Sequence, residues 1–304
     1  MTKSLLVTGA TGFIGSKLVE ALLDRKYDVF SLVRSRKLAQ LKSELVIADL
    51  TDSNLKIPLD DIDGVIHLAS HTPLEKNKKI LEKVNLQGTK NLFSQIKDKT
   101  KSIIYISGLG VYGDPKGAIV DETYPYSPTT DFVKIRLEAQ KFLERECKEI
   151  GINFSVIHFG DVYGPGGWFY DFLIKRMLNN TFRLPKNGNY YKNFIHRDDA
   201  VGSTIAVFEK NPKYESFIVA DSTPATFREF TNFTADQIGL KHPGSVPVFL
   251  AKAVLGGDLI KLLTTSMKVS NNKIKKIYDF KYPSYKEGIP QVFSELAKKD
   301  MVNN

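Results

Sequence analysis

Cysteine is nearly missing from this chain: Cys147 is the only one in 304 residues. An internal disulfide is therefore excluded, and a reducing, cytoplasmic setting is expected. The five histidines (His67, His71, His158, His196 and His242) show no zinc-gathering spacing, so no metal centre is expected. No apolar run approaches the roughly 20 residues that span a bilayer. The longest late stretch, VPVFLAKAVLGG, is interrupted by Lys252, and no membrane partner is expected. The opening MTKSLLVTGA is too short in apolar residues for a secretory leader. Internal repeats and low-complexity segments are absent as well.

Acidic residues are outnumbered, with 34 Asp and Glu against 43 Lys and Arg, which leaves a net charge of +9. A basic surface favours phosphates, acidic lipids or nucleic acid. The lysines of KNKK (76–79), KDKTK (97–101) and NNKIKK (271–276) are dispersed, however, with no interleaved arginine and aromatic residues. That is the pattern of solvated faces, and nucleic acid is not the expected partner.

What the chain does have is alternation. SLLVT (4–8), DVFSLV (28–33), ELVIA (44–48), GVIHLA (64–69), SIIYIS (102–107) and NFSVIH (153–158) read as strands, several almost wholly apolar. Such strands are covered on both faces, as in a parallel sheet. Between them run helical stripes. Ile14, Leu18 and Leu22 form one, and Leu81, Val84, Leu92 and Ile96 a second. Phe132, Ile135, Ala139, Phe142 and Leu143 form a third. Strand–helix alternation predicts an α/β fold with right-handed crossovers. After residue 164 the order changes: a Gly-rich turn and helix, loops and short strands, then a helix at RDDAVGSTIAVFEK. SFIVAD reads as one more strand of the main sheet, and TFRE (226–229) as a capping box.

TGATGFIG lies between the first strand and the first helix. Gly9 permits a tight turn, Gly12 lets backbone approach a pyrophosphate, and Gly15 lets the helix pack closely on the sheet. The helix N-terminus then offers amides and partial positive charge to the phosphates. This spacing, Gly-x-x-Gly-x-x-Gly, resembles that of the extended short-chain dehydrogenase/reductase family, the nucleotide-sugar epimerases and dehydratases. ADL (48–50), VIHLAS (65–70), VNLQGTKNLF (84–93), VYG (111–113), DET (121–123), VYGPGG (162–167), FIHRDDAV (194–201) and YPSYKEGI (282–289) follow in that family's order.

The resemblance implies a Rossmann-type doubly wound parallel sheet with a smaller C-terminal substrate lobe. The dinucleotide domain would span 1–164 with 193–221 returning to it, and the lobe 165–192 and 222–304. Cofactor contacts would come from Gly9, Thr11, Gly12, Phe13, Ile14, Gly15, Asp49, Leu50, Leu68, Ala69, Ser70, Ser107 and Arg136. Asp49 would face the adenine amine. Where the second strand ends, a carboxylate usually holds the adenosine ribose. SLVRSRK instead supplies Arg34 and Arg36, with Lys37 nearby, suited to a 2′-phosphate. NADP is therefore favoured over NAD.

In the family a serine or threonine, a tyrosine and a lysine one turn later carry the proton transfer. Here those positions hold Gly108, Phe132 and Arg136. Arginine cannot shuttle protons at neutral pH, so no catalytic residue is assigned. Tyr112 with Lys116, and Tyr282 with Lys286, have the tyrosine–lysine spacing but lie in Pro-containing loops and read as chance matches. Tyr126 reads as a loop aromatic. The substrate side is assigned Lys192, Arg183 and Tyr112, with Lys186 near them. Trp168 would anchor the lobe or line the cleft. The resemblance also implies a homodimer through helices at 75–96 and 129–149, with Phe142, Leu143 and Cys147 partly interfacial. Three functions stay open: an atypical NAD(P)-dependent oxidoreductase or epimerase acting on a small polar or nucleotide-linked substrate, a non-catalytic NADP(H)-binding sensor or scaffold, and a nucleic-acid-binding derivative of the fold.

Overall fold

The computed structural model describes residues 2–36 and 41–303. Lys37, expected beside a 2′-phosphate, lies outside them. The chain runs β1 (Ser4–Thr8), α1 (Gly15–Asp24), β2 (Asp28–Val33), β3 (Glu44–Ile47), β4 (Gly64–His67), α2 (Lys78–Leu81), α3 (Gly88–Ile96), β5 (Ser102–Gly108), β6 (Ile119–Val120), α4 (Asp131–Ile150), β7 (Asn153–Phe159) and β8 (Asp161–Tyr163). It continues as α5 (Lys175–Leu178), β9 (Leu184–Pro185), β10 (Tyr191–Lys192), β11 (Phe194–His196), α6 (Arg197–Lys210), β12 (Glu215–Val219), β13 (Ala225–Thr226) and α7 (Phe227–Gln237). Last come β14 (Ser245–Val246), α8 (Val248–Leu255), α9 (Gly257–Thr264), β15 (Lys268–Val269) and α10 (Tyr285–Asn303).

A seven-stranded parallel sheet carries the order β12-β7-β5-β4-β1-β2-β3. β1 pairs in parallel with both β2 and β4, so the winding direction reverses between β1 and β4. In doubly wound sheets ligands bind at the carboxyl ends of the strands where that reversal occurs. The apolar strands behave as their composition requires: every residue of β4, and all but Gly108 of β5, are buried.

Helix α4 shows how sequence fixes an element. Thr130 caps it by accepting from the Val133 amide, and Asp131 occupies the first turn. Gly151 ends it at φ 79°, a left-handed conformation that glycine adopts freely. Its buried stripe includes Val133, Leu137, Gln140, Leu143 and Cys147. Leu143 and Cys147 are 1% and 0% exposed and belong to the core that also holds Phe93, Ile96 and Ile152. This corrects the interfacial reading: both side chains are already covered within one chain. Between α2 and α3 the helix widens to a π-type segment, Glu82–Gln87, and Asn85 is buried there while Val84 is only half-buried. The stripe drawn through Val84 is thereby displaced by one position.

The chain divides into two compact units, 1–111 with 128–158 and 201–217, and 112–127 with 159–200 and 218–304. The boundaries differ from those expected at 164, 193 and 221. Backbone pairing explains the shift of 112–127 and 159–164. β6 pairs with β15 and β8 with β11, so both segments bond within the second unit. That unit's core is aromatic: Phe194 and Phe230 stack at 3.7 Å, with Tyr163, Phe169 and Tyr285 around them. Trp168 anchors the same core, its indole N–H donating to the Val162 carbonyl at 2.7 Å. No helix among the described residues is long and apolar enough to cross a membrane.

Candidate functional site

The turn after β1 is built on contacts that only glycine allows. Gly9 adopts φ +68°, and a Cβ there would lie 2.8 Å from the Ala69 nitrogen. A Cβ on Gly15 would lie 2.1 Å from the Gly9 carbonyl oxygen. That carbonyl accepts from the Gly12 amide at 2.9 Å and closes the turn. Thr11 and Gly12 are exposed, Phe13 and Ile14 half-buried, and no side chain caps the start of α1. The first turn of α1 therefore presents its backbone pole, not a side chain, to whatever approaches.

Beneath this turn runs a polar wire. The Ala69 amide donates to Thr8 Oγ1 at 3.2 Å, and Thr8 Oγ1 lies 2.6 Å from His67 Nδ1. His67 Nε2 lies 2.9 Å from Thr89 Oγ1, whose hydroxyl donates to the Asn85 carbonyl. Thr89 has one hydroxyl proton and spends it on that carbonyl, so it must accept from His67 Nε2–H. Thr8 then donates to Nδ1, which assigns the tautomer. Burial first, and Arg136 second, push His67 down to about 3, consistent with a neutral ring. Asn85 Oδ1 holds the next loop by accepting from the His71 amide at 2.8 Å and from Ser70 Oγ at 3.2 Å. The wire thus ties Ala69 and Ser70, both expected along the dinucleotide path, to β1 and to the π-type segment.

Arg136 and Phe132 lie one turn apart on α4. The Arg136 guanidinium lies 5.6 Å from the Phe132 ring centroid and 6.0 Å from that of Tyr105. Its Nη2 donates to the Ile106 carbonyl near the end of β5. Gly108 closes that strand, and beside it Ser107 is 4% exposed. Ser107 Oγ and Arg136 Nε are both buried without a hydrogen-bond partner among the described residues. Buried polar atoms are rarely left unmet. His158 is a strand histidine on Gln140 at 3.1 Å, pushed down to about 3 by burial and then by Arg136.

At the ends of β2 and β3 the chemistry is open. Arg34 and Arg36 are exposed, and Arg34 adds its charge to the field on Asp49. The Thr51 amide, more than its hydroxyl, holds the Asp49 carboxyl below its usual range, donating to Oδ1 at 2.8 Å. Leu50 is 6% exposed, and its carbonyl accepts from Asn91 at 2.8 Å. Leu68, Ala69 and Ser70 are half-buried.

The substrate-side candidates lie in the second unit, each with other employment. Lys192 pairs with Asp161 at 2.9 Å. Arg183 donates to the Asn180 and Phe182 carbonyls at 3.0 and 2.8 Å. Tyr112 is 0% exposed and packs 5.4 Å from the half-buried Tyr126. Lys116 pairs with Asp114 at 2.8 Å. Thr8, Thr89 and Asn85 went unassigned from sequence. A signal was available only for Thr8, a polar residue ending the otherwise apolar run LLVT; Asn85 and Thr89 lie among other polar residues.

A parallel sheet with a winding reversal at a glycine turn defines a Rossmann-type α/β protein. The model of the NAD dependent epimerase/dehydratase family matches residues 5–220, and the chain belongs to that family. It is 26% identical over 255 residues to a putative UDP-glucose 4-epimerase of Methanocaldococcus jannaschii, covering 78% of this chain and 83% of that one. It is 28% identical over 303 residues to a 3-diazoavenalumate denitrifying reductase of a Streptomyces species, covering 94% and 98%. A human epimerase family protein solved with NADPH superposes with TM-score 0.81 at 20% identity, covering 96% and 99%, which speaks to the fold.

Proposed function

We propose that this chain binds a nicotinamide dinucleotide, NADP(H) in preference to NAD(H), and serves hydride transfer to a small polar acceptor without a phenol of its own. One observation supports the reading: Arg136 is tied to the Ile106 carbonyl beside a buried, unpartnered Ser107 Oγ, one turn from Phe132, the position that the resemblance assigns to the phenol. The residues fit such a cofactor. Gly9 and Gly15 have no room for a Cβ, and Ser107 Oγ and Arg136 Nε are buried polar atoms that a polar ligand would satisfy. The printed names agree in kind, since one relative is a reductase and a structural neighbour was solved with NADPH.

In this reading the amides of 11–15 hold the diphosphate, and Arg34 with Arg36 hold the 2′-phosphate as a charge-assisted fork. Asp49 accepts from the adenine amine. Ser107 and Arg136 orient the nicotinamide end. The cofactor, when bound, supplies or takes the hydride. A guanidinium does not shuttle protons near neutrality, so the proton comes from solvent. Lys192 and Arg183 remain the proposed substrate side, with Lys192 exchanging Asp161 for a substrate anion; Tyr112 is withdrawn from it, because its side chain is fully buried.

Arg136's bond to Ile106 also favours a second reading, a non-catalytic NADP(H) sensor. Calorimetry with NADPH and NADH, followed by nicotinamide absorbance with carbonyl compounds and nucleotide sugars, separates the two. Turnover abolished by Arg136→Ala supports the enzyme. Tight NADPH binding with no turnover supports the sensor. Binding of neither dinucleotide sinks both.

A further inference from the structure

Helix α8 has apolar residues on both sides, which normally means burial on both. Its buried side is served by Ala251, at 7% exposure, with Val248 and Leu255 half-buried. The other side faces solvent. Phe249 is 70% exposed, Val254 71% and Leu250 47%, with Ala253 exposed between them. At about 100° per residue these four positions fall within an arc of about 140°, a single continuous stripe. Isolated apolar residues on a surface need no explanation, but a contiguous stripe marks an interaction face.

The charge around the stripe selects the occupant. Residues 241–268 contain four lysines (Lys241, Lys252, Lys261, Lys268) against one acid, Asp258. Lys241, Lys252 and Lys261 are exposed. The whole chain carries +9, so a second copy would meet like charge. An apolar stripe flanked by lysines matches the boundary between anionic headgroups and acyl chains. We propose that α8 lies in the surface of an anionic bilayer, with Phe249, Leu250 and Val254 inserted and the neighbouring lysines on headgroups. The helix has eight residues, so it rests on the membrane and does not cross it. This departs from the sequence expectation of no membrane partner. Lys252 breaks the run but lies to one side of the exposed stripe.

The test is sedimentation of the full chain with vesicles of equal phosphatidylglycerol and phosphatidylcholine, against vesicles of phosphatidylcholine alone. Binding is expected only to the anionic vesicles, and it should fall with salt. The double variant Phe249→Glu with Val254→Glu should weaken partitioning about tenfold or more. Ile150→Glu, which alters an apolar residue 50% exposed at the end of α4, should leave it unchanged. Because all three side chains are exposed, thermal melts should stay close to wild type. Absence of vesicle binding, equal binding to neutral vesicles, or binding that survives the double variant overturns the proposal. So does concentration-dependent self-association that the double variant abolishes without any vesicle binding, since the stripe would then be a protein interface.

Discussion

A methyl group at Gly15 would lie 2.1 Å from the Gly9 carbonyl oxygen, a backbone atom that cannot move without opening the turn. Gly15→Ala should therefore cost about 1–3 kcal/mol in stability, the usual range for overpacking. It should also lower dinucleotide affinity more than any change of equal size on the solvated side of α1. Thermal melts and calorimetry read the two effects separately. Arg34 tests cofactor choice, because its side chain is exposed and the fold does not rest on it. Arg34→Ala should weaken NADPH binding about tenfold or more, as loss of a charge-assisted contact implies, and leave NADH nearly unchanged. Equal loss for both dinucleotides would place the arginine on the shared part of the molecule and reopen the NAD alternative.

At the scale of elements, the π-type segment between α2 and α3 has a specific job. It turns Asn85 inward, and that one side chain accepts from both the His71 amide and Ser70 Oγ. π-bulges recur at functional sites because they aim a side chain that a regular helix would not. Asn85→Ala should leave the His71 amide short of a partner and cost about 1–3 kcal/mol. Faster amide exchange in 68–71 should accompany it. A melt unchanged from wild type would mean the loop is held by other contacts. Helix α7 offers the opposite case, an element readable from four letters. Thr226 accepts from the Glu229 amide and Glu229 returns to the Thr226 backbone, the capping box that TFRE predicts.

For the whole molecule, buried titratable groups set the pH range of stability. His67 and His158 are pushed from 6.5 down to about 3, by burial and then by Arg136. Between those values the unfolded chain takes up protons that the folded chain refuses, so the histidines' contribution to stability falls as pH drops below 6.5 and is constant above it. Each histidine contributes at most about 1.4 kcal/mol per pH unit in that window. Asp221 acts in the other direction. Burial raises it from 3.8 to about 8, outweighing the Thr223 amide that donates to it. Between those values the folded chain keeps a proton the unfolded chain has released, so stability declines as pH rises. Asp221→Asn should melt higher than wild type at pH 8, with the gap closing towards pH 4. Melting curves across that range check both signs, and a wild type that gains stability from pH 7 to 8 would refute the Asp221 assignment.

The sequence by itself determined what depends on near neighbours. Strand and helix order, the glycine turn and the caps of α4 and α7 all lie within a few residues of what defines them. Tertiary structure decided what depends on distant partners. Thr8 meets His67 across 59 residues, and Arg136 finds the Ile106 carbonyl across 30. Lys192 is neutralised by Asp161, Cys147 is sealed in its own core, and the apolar stripe of α8 stays uncovered. A side chain's type and spacing state which bonds it can make, but only the packed chain decides which partner or solvent it meets.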